Sequence, residues 1–169
     1  GVGSVAVMAL AKLGYDVTAS TGRAETHSYL KGLGAKQIIA RDELARDCKP
    51  LERETWAAVV DCVGDKTLAT AIAQTKHEGI VAPCGLAGGI GLPASVMPLI
   101  LRGVTVRGVE SIMTAMDRRV RAWQALAELI DQDKLSQVYK TEPLDAVPDL
   151  AKTILAGKIQ GRIVIDVNA

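Results

Sequence analysis

"GVGSVAVMALAKLGYDVTASTGR" (residues 1–23) opens the chain. Gly1, Gly3 and Ala6 follow the pattern G-x-G-x-x-A. The first glycine of such a turn allows a tight bend and the second lets a pyrophosphate approach the backbone. The small third residue lets helix and sheet pack closely. Val5, Ala9 and Leu13 then fall on one helical face, Gly14 ends the helix, and "YDVTAS" (15–20) reads as a strand. Such a turn follows a strand of its own, and that strand is not among these residues. In the doubly wound order 3-2-1-4-5-6 it is the central one, flanked here by 15–20 and 56–63. Without it two strands face each other across a gap of about 9–10 Å, with unpaired backbone groups costing about 1–3 kcal/mol each. The expectation is a C-terminal part of a longer protein, in which 15–20 and 56–63 do not pair directly.

Further along, helical patterns alternate with apolar runs. Residues 24–33 read as a helix closed by Gly34 at the position after its end, where a left-handed backbone is tolerated. "KQIIA" (36–40) and "WAAVVDCV" (56–63) read as strands, the second apolar enough to be buried on both faces. A helix over 65–76, a strand "GIVAPCG" (79–85), a short helix over 95–102 and a strand "VTVRGVES" (104–111) follow. This order predicts an α/β fold, a doubly wound parallel sheet of Rossmann type with its first strand missing from the chain. The last third breaks the alternation. Met116, Val120, Trp123, Ala127 and Ile130 make an apolar stripe that predicts an amphipathic helix over 115–131. "QVYKTEP" reads as a strand, Asp145 as the N-cap of a helix to about Ala156 with Pro148 in its first turn, and "RIVIDV" (162–167) as a closing strand.

Composition bounds the function. The formal net charge is +1 and apolar residues make up 49%, so neither nucleic acid nor a membrane is an expected partner, and no run approaches the length of a membrane span. Three cysteines without CxxC or Cys/His spacing predict reduced, mostly buried thiols, a cytoplasmic setting and no metal site. His27 and His77 stand alone and read as surface or structural residues. The basic run "DRRVR" (117–121) reads as a solvated helix face.

The end of the second strand bears on which dinucleotide fits. Readers of NAD place Asp or Glu there, about 20 residues after the turn. Here the strand ends Ser20-Thr21-Gly22-Arg23, and Asp16 lies at its other end. Arg23 offers a planar fork for a phosphate, Thr21 a hydroxyl and Gly22 room for the backbone. The pattern predicts NADP(H). The loops "DCVGD" (61–65) and "CGLAGG" (84–89) fall at strand C-termini, where ligands of such sheets bind.

Together, "GVGSVAV", "STGRAETHSYLKGLGA", "VVDCVGDK", "CGLAGG", "LPASVMPLILRGVTVRGVES" and "IQGRIVIDV" resemble the zinc-free, quinone-oxidoreductase-like branch of the medium-chain dehydrogenases/reductases. Within it they are most similar to the NADPH-dependent acrylyl-CoA reductase subfamily. The resemblance implies that residues 1–113 are the NADP-binding Rossmann domain lacking its first strand, and that 114–169 return to a GroES-like catalytic domain. It places Gly1, Gly3 and Ser4 at the pyrophosphate, and Thr21, Gly22 and Arg23 at the 2′-phosphate. Val63, Gly85, Leu86 and Ala87 fall near the nicotinamide, and Arg162 in the cleft between domains. It also implies hydride transfer to an enoyl thioester such as acrylyl-CoA, with a quinone as the alternative substrate, and a homodimer through strand 104–110. No general acid stands out, so no catalytic residue is assigned, and the 169 residues alone are expected to be inactive. A non-catalytic NADPH-binding module is the reading from another class.

Overall fold

The computed structural model describes residues 1–169. The chain gathers into two compact units that interleave along the sequence: 1–19, 23–38 and 122–169 in the first, 20–22 and 39–121 in the second.

In the first unit, helix α1 (Val2–Lys12) ends at Leu13, and Gly14 takes a φ of +86°. The Tyr15 N–H closes that end on the Leu10 carbonyl. A single 3-10 turn (Ala24–Thr26) leads into α2 (His27–Leu33), capped by Gly34 at φ +122°. The core comprises Val7, Met8, Val17, Ala19, Leu33, Ala35 and Val138. From the end of the chain come α6 (Gln132–Ser136), the parallel pair β6 (Tyr139–Pro143) and β7 (Arg162–Asp166), and α7 (Val147–Leu155). Strand β1 (Thr18–Thr21) pairs with β2 (Gln37–Ala40), and each passes from the first unit into the second.

The second unit is built on three parallel strands in sequence order, β3 (Trp56–Asp61), β4 (Thr75–Pro83) and β5 (Thr105–Val106). Helix α3 (Asp65–Ala73) is buried from Thr67 onward, and α4 (Met97–Arg102) precedes β5. Leu68, Ile72, Val81 and Val104 form the second core. β1 pairs only with β2, and β3 only with β4.

Several expectations need correction. The run 56–63 was expected to be buried on both faces, but Ala57, Ala58 and Val60 are exposed. Within residues 1–169, β3 pairs on one side only, with β4. β4 starts at Thr75 rather than 79, because a bulge at 76–79, with Glu78 at φ +57°, lets the chain enter the sheet early. The strand expected over 104–111 is two residues long, although the Arg107 and Val109 N–H groups still donate to Val81 and Pro83. Helix α5 runs Met116–Leu129 without a buried residue, and its stripe is open, with Met116 71% and Trp123 67% exposed. Asp131 leaves that helix and instead caps α6 through the Asp133 and Lys134 N–H groups. Asp145 caps nothing: it sits in a 3-10 turn (Leu144–Ala146), and α7 starts after Ala146 with Pro148 in its first turn. The three cysteines, expected mostly buried, are half-buried. His27 and His77 are exposed, as expected.

Candidate functional site

The first unit carries the glycine turn. Gly1 caps α1 without a side-chain hydrogen bond, and the first turn holds no acidic residue. An eleven-residue helix opened this way directs N–H groups and a positive dipole end outward, the arrangement that suits a phosphate. A Cβ at Gly3 would meet nothing within 4 Å, so internal packing does not demand glycine there. The open space leaves room for a ligand to approach the backbone. Beside Gly1 a Cβ would lie 3.5 Å from the Gly161 carbonyl oxygen and 3.6 Å from Arg162 Nη2. The fold thus brings Arg162 from the far end of the chain to the turn. Ser4 is buried, and its Oγ accepts a 2.8 Å hydrogen bond from the Tyr29 hydroxyl. Tyr29 went unread in the sequence, because only folding sets a mid-helix tyrosine beside that serine.

Arg23 is engaged differently from expectation. Its Nη1 donates to the carbonyls of Gly157 and Ile159, each at 3.1 Å. The guanidinium therefore braces the turn between α7 and β7, a role with no signal in the local sequence.

The second unit carries Thr21 and Gly22. A Cβ on Gly22 would lie 3.3 Å from Arg41 Nε and 3.4 Å from its Cζ. Arg41, exposed and opening a 3-10 turn (Arg41–Glu43), is thus a second guanidinium at the end of β1. The sequence reading missed it, because it follows a different strand.

At the C-terminal ends of β3 and β4 the expected loops interlock. The Cys84 N–H donates to the Asp61 carbonyl at 2.8 Å, Ala87 N–H to Cys62 at 3.4 Å, and Gly88 N–H to Val63 at 2.7 Å. A Cβ on Gly85 would sit 2.7 Å from the Cys62 carbonyl oxygen, and one on Gly64 2.6 Å from that of Gly89. The buried Asp61 carboxylate accepts the Gly64 N–H at 2.8 Å. Val63, Gly85, Leu86 and Ala87 are therefore brought together. The Ala87 N–H is turned to the Cys62 carbonyl. Alongside lies an open cleft of about 460 Å³ lined by Pro83, Cys84, Gly85, Leu86, Gly108, Val109 and Glu110. Backbone bonds from Met113 and Ile112 and the Thr114 hydroxyl hold the Glu110 carboxyl below the usual carboxylate range.

Comparison with known proteins gives these features a family. The zinc-binding dehydrogenase model matches residues 1–132, and the chain belongs to that family. It is 51% identical to the acrylyl-CoA reductase AcuI of Ruegeria pomeroyi, over all of this chain and 52% of that protein. The yhdH oxidoreductase of Salmonella enterica, solved in complex with NADP, superposes with a TM-score of 0.96 at 46% identity, over 99% of this chain and 51% of that one. The putative quinone oxidoreductase YhfP of Bacillus subtilis is 41% identical over 98% of this chain and 51% of that protein. Its structure with NAD bound superposes at a TM-score of 0.91 over 99% and 51% of the two chains, at 39% identity. The chain spans about half the length of the curated relatives it matches. The fold is thereby a Rossmann-type α/β fold of a medium-chain dehydrogenase/reductase related to the acrylyl-CoA reductases and quinone oxidoreductases. The zinc in the family's description finds no donor set here: no group of three or more His, Cys, Asp or Glu side chains converges. No helix is long and apolar enough to cross a membrane.

Proposed function

We propose, from this family membership, that the chain carries the cofactor half of an NADPH-dependent reductase acting on the C=C bond of acrylyl-CoA or a similar enoyl thioester. The observation that carries the reading is the glycine-capped, acid-free first turn of α1, with open space at Gly3 and Arg162 beside Gly1. The 51% identity to an acrylyl-CoA reductase and the NADP in a 46% identical structure support it. The cofactor, when bound, supplies the hydride. On this reading Gly1, Gly3 and Ser4 hold the pyrophosphate, with Tyr29 fixing the Ser4 hydroxyl. Thr21, Gly22, Arg23 and Arg41 receive the 2′-phosphate. Val63 and the Gly85-Leu86-Ala87 loop shape the nicotinamide end, and Arg162 lends positive charge at the turn. Residues 1–113 form the cofactor domain and 114–169 return to the catalytic one. No step is assigned to zinc.

A second reading, reduction of a quinone, is favoured by the similarity to YhfP. A non-catalytic module that only binds NADPH is the third. NADPH oxidation by the full-length protein, followed with acrylyl-CoA and with a quinone, separates the three. The first reading requires turnover on the thioester well above that on the quinone. A cytoplasmic setting accords with three free cysteines, and a homodimer through 104–110 with the open edge of β5.

Substitution of the two arginines tests the 2′-phosphate contacts. A charge-assisted bond to the 2′-phosphate contributes about 1.5–3 kcal/mol. Arg41→Ala should therefore narrow the NADPH/NADH preference by about one to two decades without lowering Tm. Arg23→Ala should narrow the preference and lower Tm as well, because it releases the Gly157 and Ile159 carbonyls. Titration of both nucleotides against wild type and variants reads this, and an unchanged preference in both variants removes the phosphate role.

A further inference from the structure

The ends of β3 and β4 carry two thiols that the proposed chemistry leaves unused. Cys62 and Cys84 extend the register in which Asp61 faces Pro83, and their Sγ atoms lie 3.5 Å apart. The Cys84 thiol donates to the Asp61 carbonyl at 3.2 Å, leaving its sulfur to accept from Cys62. Neighbouring strands hold Cα atoms about 4.8 Å apart, inside the range of about 4.4–6.8 Å that a disulfide spans. Cys48, the remaining thiol, lies outside this pair.

We infer that Cys62 and Cys84 form a reversible disulfide that reports thiol redox state to the loop carrying Gly85, Leu86 and Ala87. The oxidant is a small disulfide of the glutathione type. The Cys84 sulfur, as thiolate, attacks one sulfur of that disulfide, the S–S bond breaks, and a thiolate leaves. Cys62 then attacks the Cys84 sulfur of the mixed disulfide and expels the second thiolate. The two cysteine protons end on the two released thiols. The protein pair loses two electrons and the small disulfide gains them. Burial and the Cys84 contact push the Cys62 thiol up to about 12. Closing the sulfurs from 3.5 Å to about 2.05 Å draws the Cys84 thiol from the Asp61 carbonyl. It also presses Gly85, where no Cβ fits, against the Cys62 backbone. The loop must shift in response.

The test is equilibration of the protein in glutathione buffers of rising oxidised fraction, quenched and analysed by intact mass and thiol titration. Free thiols should fall by two, with a mass loss of two hydrogens, a peptide map joining Cys62 to Cys84, and full reversal by dithiothreitol. Cys62→Ser and Cys84→Ser should each abolish the internal bond, and Cys48→Ser should leave it intact. An unchanged thiol count, a bridge to Cys48, or glutathione adducts accumulating in its place would overturn the pairing. The coupling to the loop rests on the proposed NADPH site and has a separate readout. The oxidised form should bind NADPH at least tenfold more weakly than the reduced form, and equal affinity would overturn the coupling. If neither form binds NADPH, the proposed function fails while the thiol count still judges the bond.

Discussion

A left-handed backbone costs an L-residue about 1–2 kcal/mol, and a collision with a packed neighbour adds to it. Gly14 and Gly34 separate the two effects. At Gly14, φ is +86° and a Cβ would meet nothing within 4 Å; at Gly34, φ is +122° and a Cβ would lie 2.5 Å from that of Ala11. Gly14→Ala should therefore cost about 1 kcal/mol, and Gly34→Ala about 3 kcal/mol, since α1 and α2 must also separate. Urea unfolding of the two variants measures the difference, and equal costs would show that close helix approach is not what fixes Gly34. Both glycines were legible in the sequence because a helix end is a local pattern. So was the glycine turn. Arg23 was legible only as a charge at a strand end: its partners Gly157 and Ile159 lie 134 and 136 residues away, and nothing near Arg23 encodes them. Arg41 and Tyr29 were missed for the same reason.

At the scale of elements, the segment before β3 is tied to the end of α3 by one carboxylate. Glu52 receives both Arg46 Nη atoms, at 2.8 and 2.6 Å, and the Gln74 amide at 2.9 Å. The Gln74 amide oxygen in turn accepts the Trp56 indole N–H. Arg102 closes the junction by donating to the Ala73, Thr75 and Glu52 carbonyls, where a cation also suits the C-terminal dipole of α3. The Arg46 hydrogen bonds lead the causes that lower the Glu52 carboxyl from 4.5 to about 2. A depressed carboxylate stabilises the fold fully above its unfolded value, and the contribution is lost as pH falls from about 4.5 through about 2. The shift corresponds to at most about 3 kcal/mol, reduced by screening at Arg46, whose side chain is 41% exposed. Glu52→Gln should lower stability at pH 7 by about 1–3 kcal/mol, and the gap should shrink below about pH 4.5 and close as pH falls through about 2. Denaturant unfolding across that range checks it, and a gap independent of pH would assign the loss to packing. The sequence showed the order of helices and strands here but not their exposure. An apolar run such as Trp56–Asp61 looks the same whether one neighbour pairs with it or two, and the stripe of α5 carries no sign of what covers it.

For the whole molecule, element order was legible, whereas the interleaving of 1–19 with 122–169 in one compact unit was not, since contacts so distant leave no periodicity. The proposed assembly depends on a feature at this scale, the outer edge of the three-stranded sheet. β5 pairs on one side only. The Arg107 and Val109 N–H groups donate to β4, so by the alternation of a strand the N–H groups of Val106 and Gly108 point outward. An open edge of this kind is a template for a second copy. Val106→Pro removes an outward donor and leaves the bonds to β4 in place, since proline is tolerated in an edge strand where the N–H faces away from the sheet. The full-length wild type should sediment as a dimer, and the Val106→Pro variant as a monomer with an unchanged circular dichroism spectrum. A dimeric variant would place the contact on another surface, and a monomeric wild type at tens of micromolar would remove the dimer altogether. Thr105→Pro is the control: it deletes a donor on the β4 side, so it should lower Tm whatever the state of association.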